Sequence, residues 1–89
     1  MKERYLEITF RKGKPIAAYL YLPRKAGEKS ERTEKAGNGL LADYGGNGQP
    51  IGIEITAPSK LSAEILNDVL TKLKLPPVEP KEVSPLLAA

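Results

Sequence analysis

The chain has 89 residues, of which 40% are hydrophobic and 6% aromatic, with no tryptophan and one phenylalanine. A chain of this length supports one small domain, whose core must consist mainly of leucine, isoleucine, valine and alanine. It contains neither cysteine nor histidine, which excludes disulfides, thiolate nucleophiles, imidazole bases and the usual zinc ligands. Charged residues follow Met1, and no apolar run approaches the roughly 20 residues that span a membrane. We therefore expect a cytoplasmic protein without membrane contact or cofactor.

The net charge of +3 conceals an asymmetry along the chain. Residues 1–35 carry ten Lys or Arg against five Glu, whereas residues 36–89 carry four Lys against six Asp or Glu. A basic first third can attract phosphate or an acidic partner, although the interleaved glutamates are more typical of a solvated surface. The cations that would form a basic patch are Arg4, Arg11, Lys12, Lys14, Arg24 and Lys25.

Alternating apolar residues predict two strands, over residues 5–11 and 16–22. This alternation is typical of a strand with one buried face. The intervening Lys-Gly-Lys-Pro predicts a turn, so the two strands form a first hairpin. Residues 24–36 are polar and mix both charges. We expect a loop there, and leave open a short edge strand near residues 30–35, whose charges would discourage aggregation.

Residues 39–56 carry the clearest hairpin signal. Apolar runs flank Gly45-Gly46-Asn47-Gly48, and Asn-Gly between such runs is the strongest short-range indication of a hairpin. A turn centred on Asn47-Gly48 predicts three pairs: Tyr44 with Ile51, Ala42 with Ile53, and Leu40 with Ile55. A turn centred one residue earlier shifts the partners by two residues, which keeps the same side chains inward.

One amphipathic helix is predicted over residues 63–73, with Ser62 as its N-cap and apolar residues at spacings of three and four. Residues 76–89 contain further prolines with little to pack, which predicts a flexible, extended or disordered tail. The predicted fold class is therefore α+β. A single domain over residues 1–75 has an antiparallel sheet of four or five strands, including two β-hairpins, with one C-terminal amphipathic helix packed on one face.

A known family shares the central motifs. Gly-Leu-Leu-Ala-Asp-Tyr at residues 39–44, then Gly48, then Ile-Gly-Ile-Glu-Ile at residues 51–55 resemble the small bacterial YuzE-like proteins, catalogued as domain of unknown function 2283. The strand at residues 18–22 resembles the family's earlier strand. The resemblance implies a compact sheet-and-helix domain without established activity, and suggests an antitoxin or accessory role beside a protein encoded nearby. The family usually has acidic residues before this strand, whereas the corresponding segment of this chain is basic. Any role of those acidic residues is therefore not transferred to this chain.

Asp43 and Glu54 are the best candidates for chemistry, because the hairpin register makes them diagonal neighbours on the face away from the helix. Two such carboxylates can act as acid and base, or hold a hard cation such as Mg²⁺ or Ca²⁺. Gly52 between them offers little shelter from water, so structural roles are favoured: turn amides for Asp43 and an ion pair for Glu54. We predict no catalytic, cofactor-binding or metal-binding residue, and no enzyme.

Tyr19, Tyr21 and Leu41 predict an interface on that same face, since aromatic and aliphatic side chains rimmed by charge are typical of protein contacts. Aromatics near cations can also stack on single-stranded nucleic acid, but +3 is a small charge for that purpose. We expect a small non-enzymatic interaction module, forming a homodimer through this face or an edge strand. The alternatives are a nucleic-acid-binding or antitoxin-like regulator, and a hard-cation or carboxylate site at Asp43 and Glu54.

Overall fold

The computed structural model describes residues 4–23 and 27–87. The strands of its single antiparallel sheet are β1 (Tyr5–Arg11), β2 (Lys14–Tyr21), β3 (Arg32–Gly37), β4 (Leu40–Tyr44) and β5 (Pro50–Ile55). Their order is β1-β2-β5-β4-β3, which places β1 and β3 at the two edges. After the sheet come a 3-10 helix (Pro58–Lys60), α1 (Ala63–Lys72) and α2 (Pro80–Leu87). The α+β class and the antiparallel sheet with its two hairpins are thus confirmed, and the strands number five.

The polar segment after β2 does contain an edge strand. β3 pairs with β4, and places Thr33 opposite Asp43 and Lys35 opposite Leu41. Residues 32–35 are exposed, while Ala36 packs against the core. The edge strand that the sequence leaves open near residues 30–35 is therefore present, displaced by two residues.

The β4–β5 hairpin has two of the three predicted pairs. Those observed are Leu40 with Ile55 and Ala42 with Ile53. Tyr44 instead lies opposite Pro50 after a register shift, so the predicted pair with Ile51 is wrong. The turn is closed by Gly48 N, which donates to Gly45 O at 3.0 Å, and Gly48 has a φ of +83°. The register shift lies opposite residues 50–52, so Ile51 is the extra residue of a bulge, and the isoleucines of β5 remain buried.

The helix α1 covers one face of the sheet, which we term the inner face. Ser62 caps it as predicted, since its Oγ accepts a hydrogen bond from Ile65 N at 3.1 Å. The apolar stripe buries three α1 residues: Leu66, Val69 and Leu70. They join one core cluster with inner-face residues of the sheet, which are Ala18, Leu20, Leu22, Leu40, Ile53 and Ile55.

The end of the first hairpin lies outside this core. Phe10 and Ile16 continue the apolar alternation of β1 and β2, but they are 51% and 48% exposed. A register shift between Thr9 and Phe10 marks a bulge, and both side chains lie next to the β1–β2 turn. Phe10 lines a groove together with Leu6, Ile8 and Leu20, so alternation assigns its face correctly although its side chain is not covered.

The C-terminal segment departs most from the sequence analysis. The sequence predicts an extended tail over residues 76–89, but residues 80–87 form α2. Val78 and Val83 are 4% and 0% exposed within the core cluster, so the expectation of little to pack is wrong there. Pro80 is compatible with the helix because it occupies the first position, where a backbone N–H has no helical partner.

Arg4 holds this segment against β1. Its guanidinium donates to both carboxylate oxygens of Glu82, at 3.1 and 3.2 Å, and to the carbonyl oxygens of Pro76 and Pro77. The Arg4 hydrogen bonds, followed by one from Glu79 N, lower the pKa of Glu82. A carboxyl whose pKa is lowered on folding adds stability above its unfolded pKa, which is lost as the pH falls through the folded value. Docking of α2 therefore weakens in acid.

Candidate functional site

The helices leave the other face of the sheet, the outer face, uncovered. Its residues come from alternate positions on all five strands: Tyr5, Glu7, Ala17, Tyr19, Tyr21, Thr33, Lys35, Leu41, Asp43, Gly52 and Glu54. Alternation along strands requires this grouping. The structure therefore brings the predicted interface residues and the predicted carboxyl pair together on one surface.

Asp43 is buried on this face, with 6% of its surface exposed. Tyr19 Oη donates to its Oδ2 at 2.8 Å, and Thr33 Oγ1 donates to its Oδ1 at 2.6 Å. Each carboxylate oxygen thus has a hydroxyl partner, which offsets part of the cost of burying the charge. The expectation that Asp43 binds turn amides is wrong, because hydroxyls from β2 and β3 hold it. Thr33 was missed since the sequence carries no signal for the register of β3 on β4.

Tyr19 reaches Asp43 by lying across Gly52. A Cβ added to Gly52 would lie 1.9 Å from Tyr19 Oη and 2.2 Å from its Cζ, so this close approach requires glycine. The ring also meets Tyr21 edge to face, with centroids 4.6 Å apart, and Tyr21 stacks on Tyr5 at 4.6 Å. Both arrangements are favourable for aromatic pairs. The tyrosines thus form a packed row rather than independent exposed rings.

Glu54 is the neighbour of Asp43, as predicted. Burial, then the negative charge of Asp43, then hydrogen bonding to Asp43 raise the pKa of Glu54. These causes all favour the protonated form, which can donate to the Asp43 carboxylate. The partner of Glu54 is thus another carboxyl group, not the lysine or arginine that an ion pair requires.

The surroundings of Glu54 are acidic. A groove of about 320 Å³ runs beside it and is also lined by Glu7 and Tyr19. Within residues 4–23 and 27–87, no group of three Asp, Glu, His or Cys side chains is arranged to hold a metal ion. A groove with this lining favours cationic groups over phosphate.

The predicted basic patch is divided among its described members. Three of them are exposed at the β1–β2 turn: Arg11, Lys12 and Lys14. Arg4 lies at the other end of β1, roughly 23 Å away for seven strand residues, and its guanidinium is bound to Glu82. The remaining two, Arg24 and Lys25, lie outside the described residues. Arg4 therefore serves a structural contact rather than an open basic surface.

Replacement of Glu54 by glutamine is expected to stabilise the fold at pH 7, by more than the roughly 0.5 kcal/mol typical of surface substitutions. A carboxyl whose pKa is raised on folding contributes most below its unfolded pKa, and that contribution is lost as the pH rises through the folded value. Glutamine stays neutral and can still donate to Asp43. Urea unfolding at several pH values checks this: the gain should disappear well below the usual pKa of 4.5.

The matched control is Glu79→Gln, which neutralises an exposed glutamate outside the sheet. It should change the free energy of unfolding by less than about 0.5 kcal/mol at either pH. A loss of stability in Glu54→Gln at pH 7 would contradict the assignment.

Comparison with known proteins yields a family match. Residues 17–59, from β2 into the 3-10 helix, match a family described as "Protein of unknown function (DUF2283)". No curated protein and no solved structure matches the chain. The match confirms the family to which the motifs point, and it assigns no activity. Neither helix of the described residues has the length and apolar content needed to cross a membrane.

Proposed function

Because residues 17–59 match DUF2283, a family without an assigned function, we propose the role of the chain from its surfaces: a small, non-enzymatic interaction module that self-associates as a homodimer. The observation that supports this best is that β3 ends the sheet. The unpaired N–H and C=O groups of an edge strand are a template for another strand. The proposed setting is the cytoplasm, since a chain without disulfides needs no oxidising compartment.

Two surfaces compete for the contact between copies. The outer face offers Tyr19, Tyr21 and Leu41, which are half-buried. A two-fold contact places the same patch of both copies together, and here it would crowd the carboxyl groups of Asp43 and Glu54 against their counterparts. Within one copy, burial and then the negative charge of Asp43 already raise the pKa of Glu54. We therefore favour the edge of β3 for self-association, and the outer face for a different protein carrying cationic groups.

The state of the two carboxyl groups supports a non-enzymatic role. Both oxygens of Asp43 accept hydrogen bonds, from Tyr19 and Thr33, and Glu54 is paired with that same side chain. A general base must reach the proton that it removes from a substrate, whereas Asp43 is 6% exposed. We propose that these groups organise the outer face rather than perform a reaction.

A nucleic-acid-binding role is the weaker alternative. Three cations at the β1–β2 turn, from Arg11 to Lys14, would neutralise few phosphates, which leaves little of the electrostatic attraction on which such binding depends. Bases would have to stack on tyrosines, and on the outer face these lie among carboxyl groups. Both features favour a protein partner.

The mass in solution tests self-association. Light scattering on a sizing column should give twice the chain mass of 9.7 kDa at high concentration. Dilution should produce monomer, because contacts that bury little area are weak. As a matched surface control, Tyr21→Ser should leave the dimer intact if β3 carries the contact. A monomer at every concentration would exclude the proposed function.

A further inference from the structure

The charge sequence at the edge strand is complementary to itself. Residues 31–35 read Glu-Arg-Thr-Glu-Lys. In an antiparallel pairing centred on Thr33, Glu31 faces Lys35 of the second copy, and Arg32 faces Glu34 of the second copy. Every charged residue of this stretch then lies opposite a charge of the other sign, which is the favourable arrangement for cross-strand pairs.

Neighbouring registers lack this property. Centring the pairing between Thr33 and Glu34 places Arg32 opposite Lys35, and centring it between Arg32 and Thr33 places Glu31 opposite Glu34. Centring it on Arg32 or on Glu34 places that residue opposite the same residue of the second copy. Like charges directly opposite each other are unfavourable, so the charges select one register out of these five.

The backbone of β3 is oriented for the same pairing. Thr56 N donates to Gly39 O at 3.2 Å, so alternation along β4 directs the N–H and C=O groups of Ala42 and Tyr44 toward β3. Because Ala42 and Tyr44 pair with Glu34 and Arg32, the N–H and C=O groups of Thr33 and Lys35 point away from β4. Within the described residues, no strand pairs with that side of β3. A pairing centred on Thr33 therefore joins the two Thr33 residues by backbone hydrogen bonds, with Arg32 and Glu34 as the flanking non-hydrogen-bonded pairs.

Resting on the proposed self-association, we propose that two copies join through β3 in the register that places Thr33 opposite Thr33, giving one continuous ten-stranded sheet. β3 is favoured over β1, because α2 packs against β1 and the Arg4–Glu82 contact holds it there. The backbone hydrogen bonds supply most of the affinity, since exposed ion pairs contribute little each. The two-fold pairing uses the β3 edge of both copies, so the assembly closes as a dimer.

Disulfide cross-linking tests the register directly. The natural chain has no cysteine, so a single-cysteine variant can form a disulfide only between two copies. At a two-fold, hydrogen-bonded pair the Cα atoms lie about 5.5 Å apart, within the disulfide range of about 4.4 to 6.8 Å. Oxidised Thr33→Cys should therefore give mostly covalent dimer on a non-reducing gel. The matched control is Thr9→Cys, an exposed threonine on the same face of β1, which should remain monomeric on that gel.

A second pair of variants keeps the test valid if Thr33→Cys folds poorly after losing its hydrogen bond to Asp43. Arg32→Cys and Glu34→Cys should cross-link only when the two proteins are mixed, because each residue faces the other across the proposed interface. Alone, each lies two positions out of register with its own copy, beyond the reach of a disulfide.

Charge exchange provides an independent measurement. Arg32→Glu alone, or Glu34→Arg alone, should weaken self-association roughly tenfold or more, since each places like charges opposite each other twice per dimer. The double variant Arg32→Glu with Glu34→Arg should restore it to within about threefold, because opposite charges face each other again. The double variant also preserves the ion pair between these residues within one chain.

The outcomes separate the two proposals. Covalent dimer with Thr33→Cys and rescue by the charge exchange support the register. A wild-type dimer in which Thr9→Cys cross-links and Thr33→Cys does not would overturn the register, and would leave self-association intact. A wild-type monomer at all concentrations would overturn both.

Discussion

A Val83→Asp variant is expected to lose at least about 3 kcal/mol of its free energy of unfolding. Val83 is fully buried in the core cluster, among side chains of the sheet and α1. An aspartate there must either bury a charge among apolar groups or take up a proton, and both are costly. In a domain this small, such a loss lowers the melting temperature by more than about 10 °C. Urea unfolding followed by circular dichroism measures it.

The matched control places the same carboxyl group one residue further along α2. Ser84 is exposed, so Ser84→Asp should change the free energy of unfolding by no more than about 0.5 kcal/mol. Equal costs for Val83→Asp and Ser84→Asp would mean that α2 is not docked in solution. The extended tail predicted from the sequence would then be correct.

Replacement of Gly52 by alanine is expected to cost about 2 kcal/mol. The new methyl group would occupy the position of the Tyr19 ring, so the ring must leave. Its hydrogen bond to Asp43 would be lost, and a buried carboxylate oxygen would then lack a partner, which is the costly element of such changes. Thermal and urea unfolding should both show the loss.

A double-mutant cycle identifies the cause. In a Tyr19→Ala background the displaced ring is already absent, so Gly52→Ala should cost much less there. Gly46→Ala is the control for a glycine with negative φ, since the atoms nearest to its added Cβ belong to the exposed Glu31 side chain, at 3.3 Å or more. An equal cost of Gly52→Ala in both backgrounds would contradict the role assigned to Tyr19.

Regular periodicity made much of this fold predictable. Strands β1 and β2 follow from apolar residues at every second position, and α1 follows from spacings of three and four with Ser62 before them. These signals are local, so they can be detected without knowledge of the tertiary structure. The predicted pair between Tyr44 and Ile51 is wrong because of a bulge. The extra residue of a bulge shifts the strand register without altering the apolar pattern of the sequence.

The helix α2 was missed because prolines were interpreted as breaks. A local signal was nonetheless present: Pro80 occupies the first helical position, and Glu82, two residues later, accepts from Glu79 N at 3.0 Å, as in a capping box. Pro85 leaves the Lys81 carbonyl without its usual N–H donor, and Ser84 Oγ donates to that carbonyl at 3.3 Å. The stability of α2 also depends on its contact with Arg4, at the other end of the sequence. No local sequence pattern reveals that contact.

The candidate site was predictable only within its own hairpin. The neighbouring positions of Asp43 and Glu54 follow from the pairing of β4 with β5, which the turn residues announce. Thr33 and Tyr19 reach Asp43 from strands whose order in the sheet is not encoded in any local pattern. The sequence therefore located the carboxyl pair, and the structure supplied the hydroxyl groups that fix it.

The contact between Arg4 and Glu82 has a kinetic consequence. These residues are 78 positions apart, and closing so long a loop costs entropy before its contacts can compensate. We therefore expect α2 to dock after the rate-limiting step of folding, once the two hairpins and α1 have formed. The stability lost in Val83→Asp should accordingly appear as faster unfolding in stopped-flow measurements, with the rate of folding nearly unchanged.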